Sequence, residues 1–149
     1  MVLALVIAAP ARPTNISKLL PMRAIGIYKE ESWFRIETDT GNRGFGGTVT
    51  QALRNMKDTA SGIVCLDTVE FLIVTKDTQK EVAELESELR PSVRLCLTAT
   101  EIGLEETVKY LDAHGGLPTL RTWKNGQELP IISLFGDSVI FLKKVENNA

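Results

Sequence analysis

The sequence predicts an α/β domain on a mixed sheet, with α+β as the neighbouring possibility. Three observations carry that prediction. The middle of the chain alternates short apolar runs with amphipathic stretches of helical period, the β-α-β-α order that gives parallel strands joined by crossovers. The beginning reads as a β-hairpin. The last part reads as short strands separated by turn signals, so the full inventory is three amphipathic helices between a hairpin start and a β-rich C-terminus.

The hairpin is formed by Arg23–Tyr28 and Trp33–Thr38, separated by Lys29–Ser32. Phe34 and Ile36 alternate with Arg35 and Glu37, the period of two that marks a half-buried strand. A glycine-rich stretch, Gly41–Gly47, then leads into a helix whose Val49, Ala52, Leu53 and Met56 fall at i, i+3, i+4 and i+7. Ile63–Leu66 and Val69–Val74 are strand-like, and the near-continuous apolar character of the second predicts a strand covered on both faces. Thr78–Glu81 has the spacing of a capping box, with Val82, Leu85 and Leu89 following at helical intervals until Arg90-Pro91 ends the run. Val93–Thr100 is the next strand. A third helix carries Leu104, Thr107, Val108 and Leu111 and closes at Gly115-Gly116, with Pro118 beyond. Leu120–Lys124, Leu129–Leu134 and Ser138–Leu142 read as short strands, with turns at Asn125-Gly126 and Gly136-Asp137.

Length and composition bound what such a domain can do. The chain has 149 residues, 44% hydrophobic and 24% charged, which suits one globular domain and excludes disordered, collagenous and coiled-coil readings. Seventeen Lys and Arg against nineteen Asp and Glu leave a net charge of −2, against a nucleic-acid partner. Cys65 and Cys96 are too few for a disulfide framework and lie at or within apolar runs, so both are read as unpaired thiols.

Val2–Ala9 is continuously apolar and is followed by the extended Pro10–Asn15. Eight apolar residues cannot span a bilayer, which takes about 20, and no basic region precedes them. The segment is either a first buried strand or the tail of a membrane segment. Pro10 and Pro13 tilt the choice towards a leader and linker over residues 1–15, with a single domain over 16–149.

No catalytic constellation emerges. A single histidine, His114, excludes multi-histidine metal sites, and its place at a helix C-terminus suits capping. Glu81, Glu84, Glu86 and Glu88 lie mostly away from the apolar stripe of their helix, as a solvated face does. In Gly41–Gly47 the anion-loop candidates are Gly44, Gly46 and Gly47, at the start of a helix. The stretch lacks the P-loop lysine and the third glycine of a dinucleotide fingerprint. No cofactor, metal or catalytic residue is assigned.

The order of motifs resembles a known family. Gly47-Thr-Val-Thr-Gln-Ala-Leu-Arg-Asn55, then Val69-Glu-Phe-Leu-Ile-Val74, then Leu89-Arg-Pro-Ser-Val-Arg-Leu-Cys-Leu97 resemble the N-terminal domain of Ger(x)C spore germination proteins. Ala24–Ile27 followed by Trp33–Thr38 looks like that family's opening hairpin. Gln127–Ile131 and Asp137–Lys144 look like the segments leading to its next strands. The resemblance spans roughly residues 22 to 144. It departs from the family pattern in three ways. No lipobox cysteine precedes Cys65, Tyr28 stands where an acidic residue usually follows the Gly-Ile pair, and the family's large C-terminal domain has no counterpart within residues 1–149.

The resemblance implies a single-domain or shortened relative. It would be a non-enzymatic subunit at the extracytoplasmic face of the spore inner membrane, beside membrane-embedded germinant receptor subunits. Attachment would come from residues 2–9 or from a partner. The alternative is a cytoplasmic α/β domain, with residues 2–9 as a core strand, binding a small anionic ligand at Gly41–Gly47. A stand-alone interaction domain is the third possibility.

Overall fold

The computed structural model describes residues 19–114, 116–123, 127–135 and 138–143. The leader over residues 1–15 and the turns expected at 125–126 and 136–137 lie outside the described residues. Strands β1 (Leu19–Pro21) through β4 (β2, Ala24–Glu30; β3, Trp33–Thr38; β4, Arg43–Gly46) precede helix α1 (Val49–Thr59). Then follow β5 (Ile63–Cys65), β6 (Phe71–Thr75), a 3₁₀ segment Gln79–Leu85, β7 (Arg94–Thr98), helix α2 (Leu104–Asp112), β8 (Ile131–Phe135) and β9 (Ser138–Lys143).

Seven strands form one sheet in the order β4-β3-β2-β6-β7-β8-β9. Its centre is parallel, β2 with β6, β6 with β7 and β7 with β8, while the pairs β2–β3, β3–β4 and β8–β9 are antiparallel. This is the expected mixed α/β sheet, entered through the expected hairpin. A separate parallel pair, β1 with β5, was not expected: three residues are too few to show a period.

The sheet carries helical segments on both faces. On one face α1 presents Val49, Ala52, Leu53 and Met56, and the 3₁₀ segment presents Val82 and Leu85, to Ile25, Ile27, Ile36, Leu72, Val74 and Leu95. On the other, α2 presents Leu104, Val108 and Leu111 to Ala24, Phe71, Ile73 and Cys96. Both predicted α-helical stripes are therefore core stripes. Thr107, the polar member of the second, donates its hydroxyl to the Gly103 carbonyl at 2.7 Å.

Three local expectations are corrected. Thr78 forms no capping box. Its hydroxyl accepts from the Thr75 amide and donates to the Ile27 carbonyl, both at 2.9 Å, so it ties the turn after β6 to β2. Gln79–Leu85 accordingly winds as a tight 3₁₀ segment, in which Val82 and Leu85, three apart, share a face. Leu120–Lys124 forms no described strand: Thr119 bridges Arg94, and Thr119–Thr122 is a turn closed by reciprocal threonine hydrogen bonds.

Arg23 fastens the end of α2 to the sheet where β2 and β6 begin. It pairs with Glu70 ahead of β6 and reaches Asp112, at the end of α2, with both terminal nitrogens. At the opposite end of β2, the two-residue hairpin turn opens on Glu31, the non-glycine residue with positive φ (58°). Glycine is usual there, because a Cβ costs on the order of 1 kcal/mol in the left-handed region.

Both cysteines are free thiols, and burial pushes the Cys96 thiol up to about 12. Leu53→Ala should lower unfolding free energy by about 2–5 kcal/mol, since Leu53 lies in the packed face between α1 and the sheet. Urea melts giving less than about half a kcal/mol would remove that residue from the core.

Candidate interaction surface

Strand alternation decides which side chains share a face. On β3, Trp33, Arg35 and Glu37 point to the α2 side of the sheet; Tyr28 and Phe45 stand opposite Arg35 on the flanking strands. The helix α2 packs over β2 and further strands of that face, with no comparable contact to β3 or β4. The β3–β4 part of the face thus carries its own cover, and that cover is polar.

Arg35 is its centre, only 6% exposed although charged. Nε donates to Glu30 Oε1 at 2.9 Å and Nη1 to Glu37 Oε2 at 2.5 Å. Nη1 and Nη2 together grip Glu101, from the β7–α2 connection, at 2.8 and 2.7 Å. The guanidinium also lies over the Tyr28 ring, 4.8 Å from its centroid, and Arg43 reaches the far side of Glu37. Such a fork-on-fork pair is directional as well as charged, and arginine's planarity lets it stack at the same time. The hydrogen bond from Arg35 holds the Glu101 carboxyl below the usual carboxylate range. Burial, reinforced by Glu37, pushes the Tyr28 phenol well above its own. Tyr28 therefore stays a neutral platform. Its hydroxyl lies towards the Ile102 backbone but completes a hydrogen bond with no group among the described residues.

Two large aromatic side chains stand exposed at the rim of this cluster: Trp33 is 57% and Phe45 46% exposed. They occupy neighbouring strands on the same face, with Phe45 directly opposite Arg35 and Trp33 two residues along from it. Arginine shielded by its own carboxylates, flanked by uncovered Trp and Phe, has the residue make-up of a protein contact surface. As chemistry it offers little. The arginine is spent, and the carboxylates are engaged by arginine.

The anion-loop expectation for Gly44, Gly46 and Gly47 meets a different geometry. Gly44 and Gly46 lie in strand β4, beneath α1. A Cβ on Gly44 would stand 2.1 Å from the Ala52 carbonyl oxygen, and one on Gly46 2.5 Å from the Ala52 amide. These glycines let a helix lie directly on a strand. Nearby amides are also engaged: Phe45 donates to Asn55 Oδ1 at 2.9 Å and Gly47 to Gln51 Oε1 at 3.1 Å. At the start of α1, Thr48 Oγ1 accepts from Gln51, and Glu84 takes both the amide and hydroxyl of Thr50. The protein's own carboxylate occupies the place an external anion would take. His114 donates Nδ1–H to the Tyr110 carbonyl at 2.8 Å and stacks on the Tyr110 ring, as a residue closing α2 does.

Sequence reasoning missed the Arg35 cluster because Arg35 and Glu101 are distant along the chain. The one local hint was a charged pair, Arg35 and Glu37, alternating within a strand. Among the described residues, no group of three or more His, Cys, Asp or Glu is placed to hold a metal, and no helix is long and apolar enough to cross a membrane. Comparisons with protein-family models, with curated proteins and with solved structures found no match.

Two measurements check this geometry. Gly44→Ala should destabilise by about 1–3 kcal/mol, because α1 must lift off β4; a melt unchanged from the parent would remove the close-approach argument. Glu101 contributes stability that is fully present above the ordinary glutamate range and is lost as pH falls through its lowered folded value. Glu101→Gln should therefore flatten the acid side of the stability–pH profile, and an identical slope in parent and variant would show that the pair does not act this way.

Proposed function

We propose that this chain is a non-enzymatic, membrane-associated interaction subunit of the Ger(x)C kind, which works by docking onto membrane-embedded receptor proteins. The observation that carries the reading is the helix-free β3–β4 face, where the exposed Trp33 and Phe45 flank a self-neutralised arginine. Apolar rings around an already paired charge lose little on leaving water, because no unpaired ion has to be desolvated. The element order adds support. The hairpin, the Gly47–Asn55 helix start, the apolar β6 and the strand following Arg90-Pro91 come in the sequence that the family resemblance implies.

The docking face does not require catalysis. Two of its titratable groups are held in one charge state, Glu101 ionised and Tyr28 neutral, rather than poised between two. Recognition by shape and apolar contact is what remains.

Co-expression of the chain with membrane-embedded germinant receptor subunits, followed by membrane flotation, tests the proposal. The parent chain should float with those proteins, and the Trp33→Ala/Phe45→Ala pair should lower its recovery by about tenfold while keeping the parent circular dichroism spectrum. A parent chain that stays with the soluble fraction, or a double variant that floats like the parent, would overturn it.

A further inference from the structure

The opposite face of the sheet carries a second feature, at the carboxyl ends of the parallel strands. An open cavity of about 580 Å³ is lined by Lys29, Glu31, Lys76, Asp77 and Lys80. Beside it lies a cleft of about 230 Å³ lined by Lys76, Gln79, Leu97, Glu128, Leu129 and Ile131. Lys76 belongs to both, and Gln79 and Lys80 are consecutive, so the two form one groove with a cationic end and an apolar end.

The three lysines converge on one concavity, whereas Arg54, Arg90, Arg94 and Arg121, which likewise have no carboxylate partner among the described residues, do not line it. Arg23, Arg35, Arg43, Lys57 and Lys109 all have carboxylate partners. Lys29, Lys76 and Lys80 have no carboxylate within ion-pair distance among the described residues, although Glu31 and Asp77 share their rim. Lys29 instead lies over the Phe34 ring, 5.7 Å from its centroid.

The backbone beneath them is fixed. The fully buried Thr78 hydroxyl clamps the Thr75–Thr78 turn to the Ile27 carbonyl, which keeps Lys76 and Lys80 beside Lys29 on the neighbouring strand. Across the cavity, Glu31 holds its left-handed backbone conformation. A crevice at the carboxyl ends of parallel strands is a feature of ligand sites in sheets of this kind.

We propose that this groove binds a phosphate carried on an apolar body. Lys29, Lys76 and Lys80 hold the phosphate oxygens, and Leu97, Leu129 and Ile131 lie against the body. Ammonium groups suit a rounded multivalent oxyanion better than a planar carboxylate, which favours a guanidinium fork. The apolar end adds affinity that inorganic phosphate cannot gain. The site lies on the face opposite Trp33 and Phe45, so it stands or falls independently of the docking surface.

Amide-resolved NMR titration of the full chain tests it with three probes: inorganic phosphate, 1-naphthyl phosphate, and vesicles of phosphatidylglycerol in phosphatidylcholine. Naphthyl phosphate should shift the amides of 76–80 together with those of Leu97, Leu129 and Ile131, and bind more tightly than inorganic phosphate. Lys76→Ala should weaken it about tenfold, and Lys109→Ala, on the other face, should leave it unchanged. Higher salt should weaken it as well. Shifts produced by the vesicles alone, and lost in Lys76→Ala, would identify the source as a lipid headgroup; shifts with the soluble ester would identify a free organic phosphate. No shift at these amides at millimolar concentrations of either soluble probe and with vesicles, or a Lys76→Ala variant that binds like the parent, would overturn the proposal.

Discussion

Four consecutive apolar residues, Phe71 to Val74, have to leave water on both sides of a single strand, and the placement of the helical segments follows from that demand. Leu72 and Val74 point into the core beneath α1 and the 3₁₀ segment, Phe71 and Ile73 into the core beneath α2. Full burial of each such side chain is worth about 1.5–3 kcal/mol, so neither face can be left open at this position of the sheet. The flanking strands β2 and β7 inherit the same two-sided burial near their centres. Only away from this middle, at β3 and β4, can a face do without a helix, and there a charged cluster replaces it.

The parts of the fold legible in the sequence are those written in periodic apolar residues. Val49/Ala52/Leu53/Met56 and Leu104/Thr107/Val108/Leu111 are both the predicted stripes and the buried residues of the two α-helices. The hairpin and the doubly buried β6 were readable for the same reason. Strand β4 was not, because two of its four residues are glycines that contribute no side chain to any period and exist to admit Ala52 and Met56. Thr78 looked like a helix cap. Its hydroxyl found a carbonyl on a strand 51 residues away, which no local pattern encodes. The Arg35 cluster was equally hidden: Arg35 and Glu101 meet only through the sheet.

The net charge of −2 says little about how the charges are used. On one face arginine is consumed by three glutamates and becomes part of the structure. On the other, three lysines are held side by side while their nearest carboxylates remain out of pairing range. The same small net charge therefore accommodates a sealed cluster and an open one in the same domain, depending on whether the carboxylates come within pairing distance.

The hydrogen bonds from Phe45 and Gly47 to Asn55 and Gln51 matter beyond their immediate surroundings. A terminal strand with vacant donors is a template on which another chain can crystallise as a further strand, and sheets polymerise by that route. Here helix α1 lends its own side-chain carbonyls to the outermost strand and the residue after it, so the Phe45 and Gly47 backbone donors are occupied before any stranger arrives. Accretion of copies in a crowded compartment is thereby hindered at these two positions of the border, next to the strand face that carries the exposed aromatic rings.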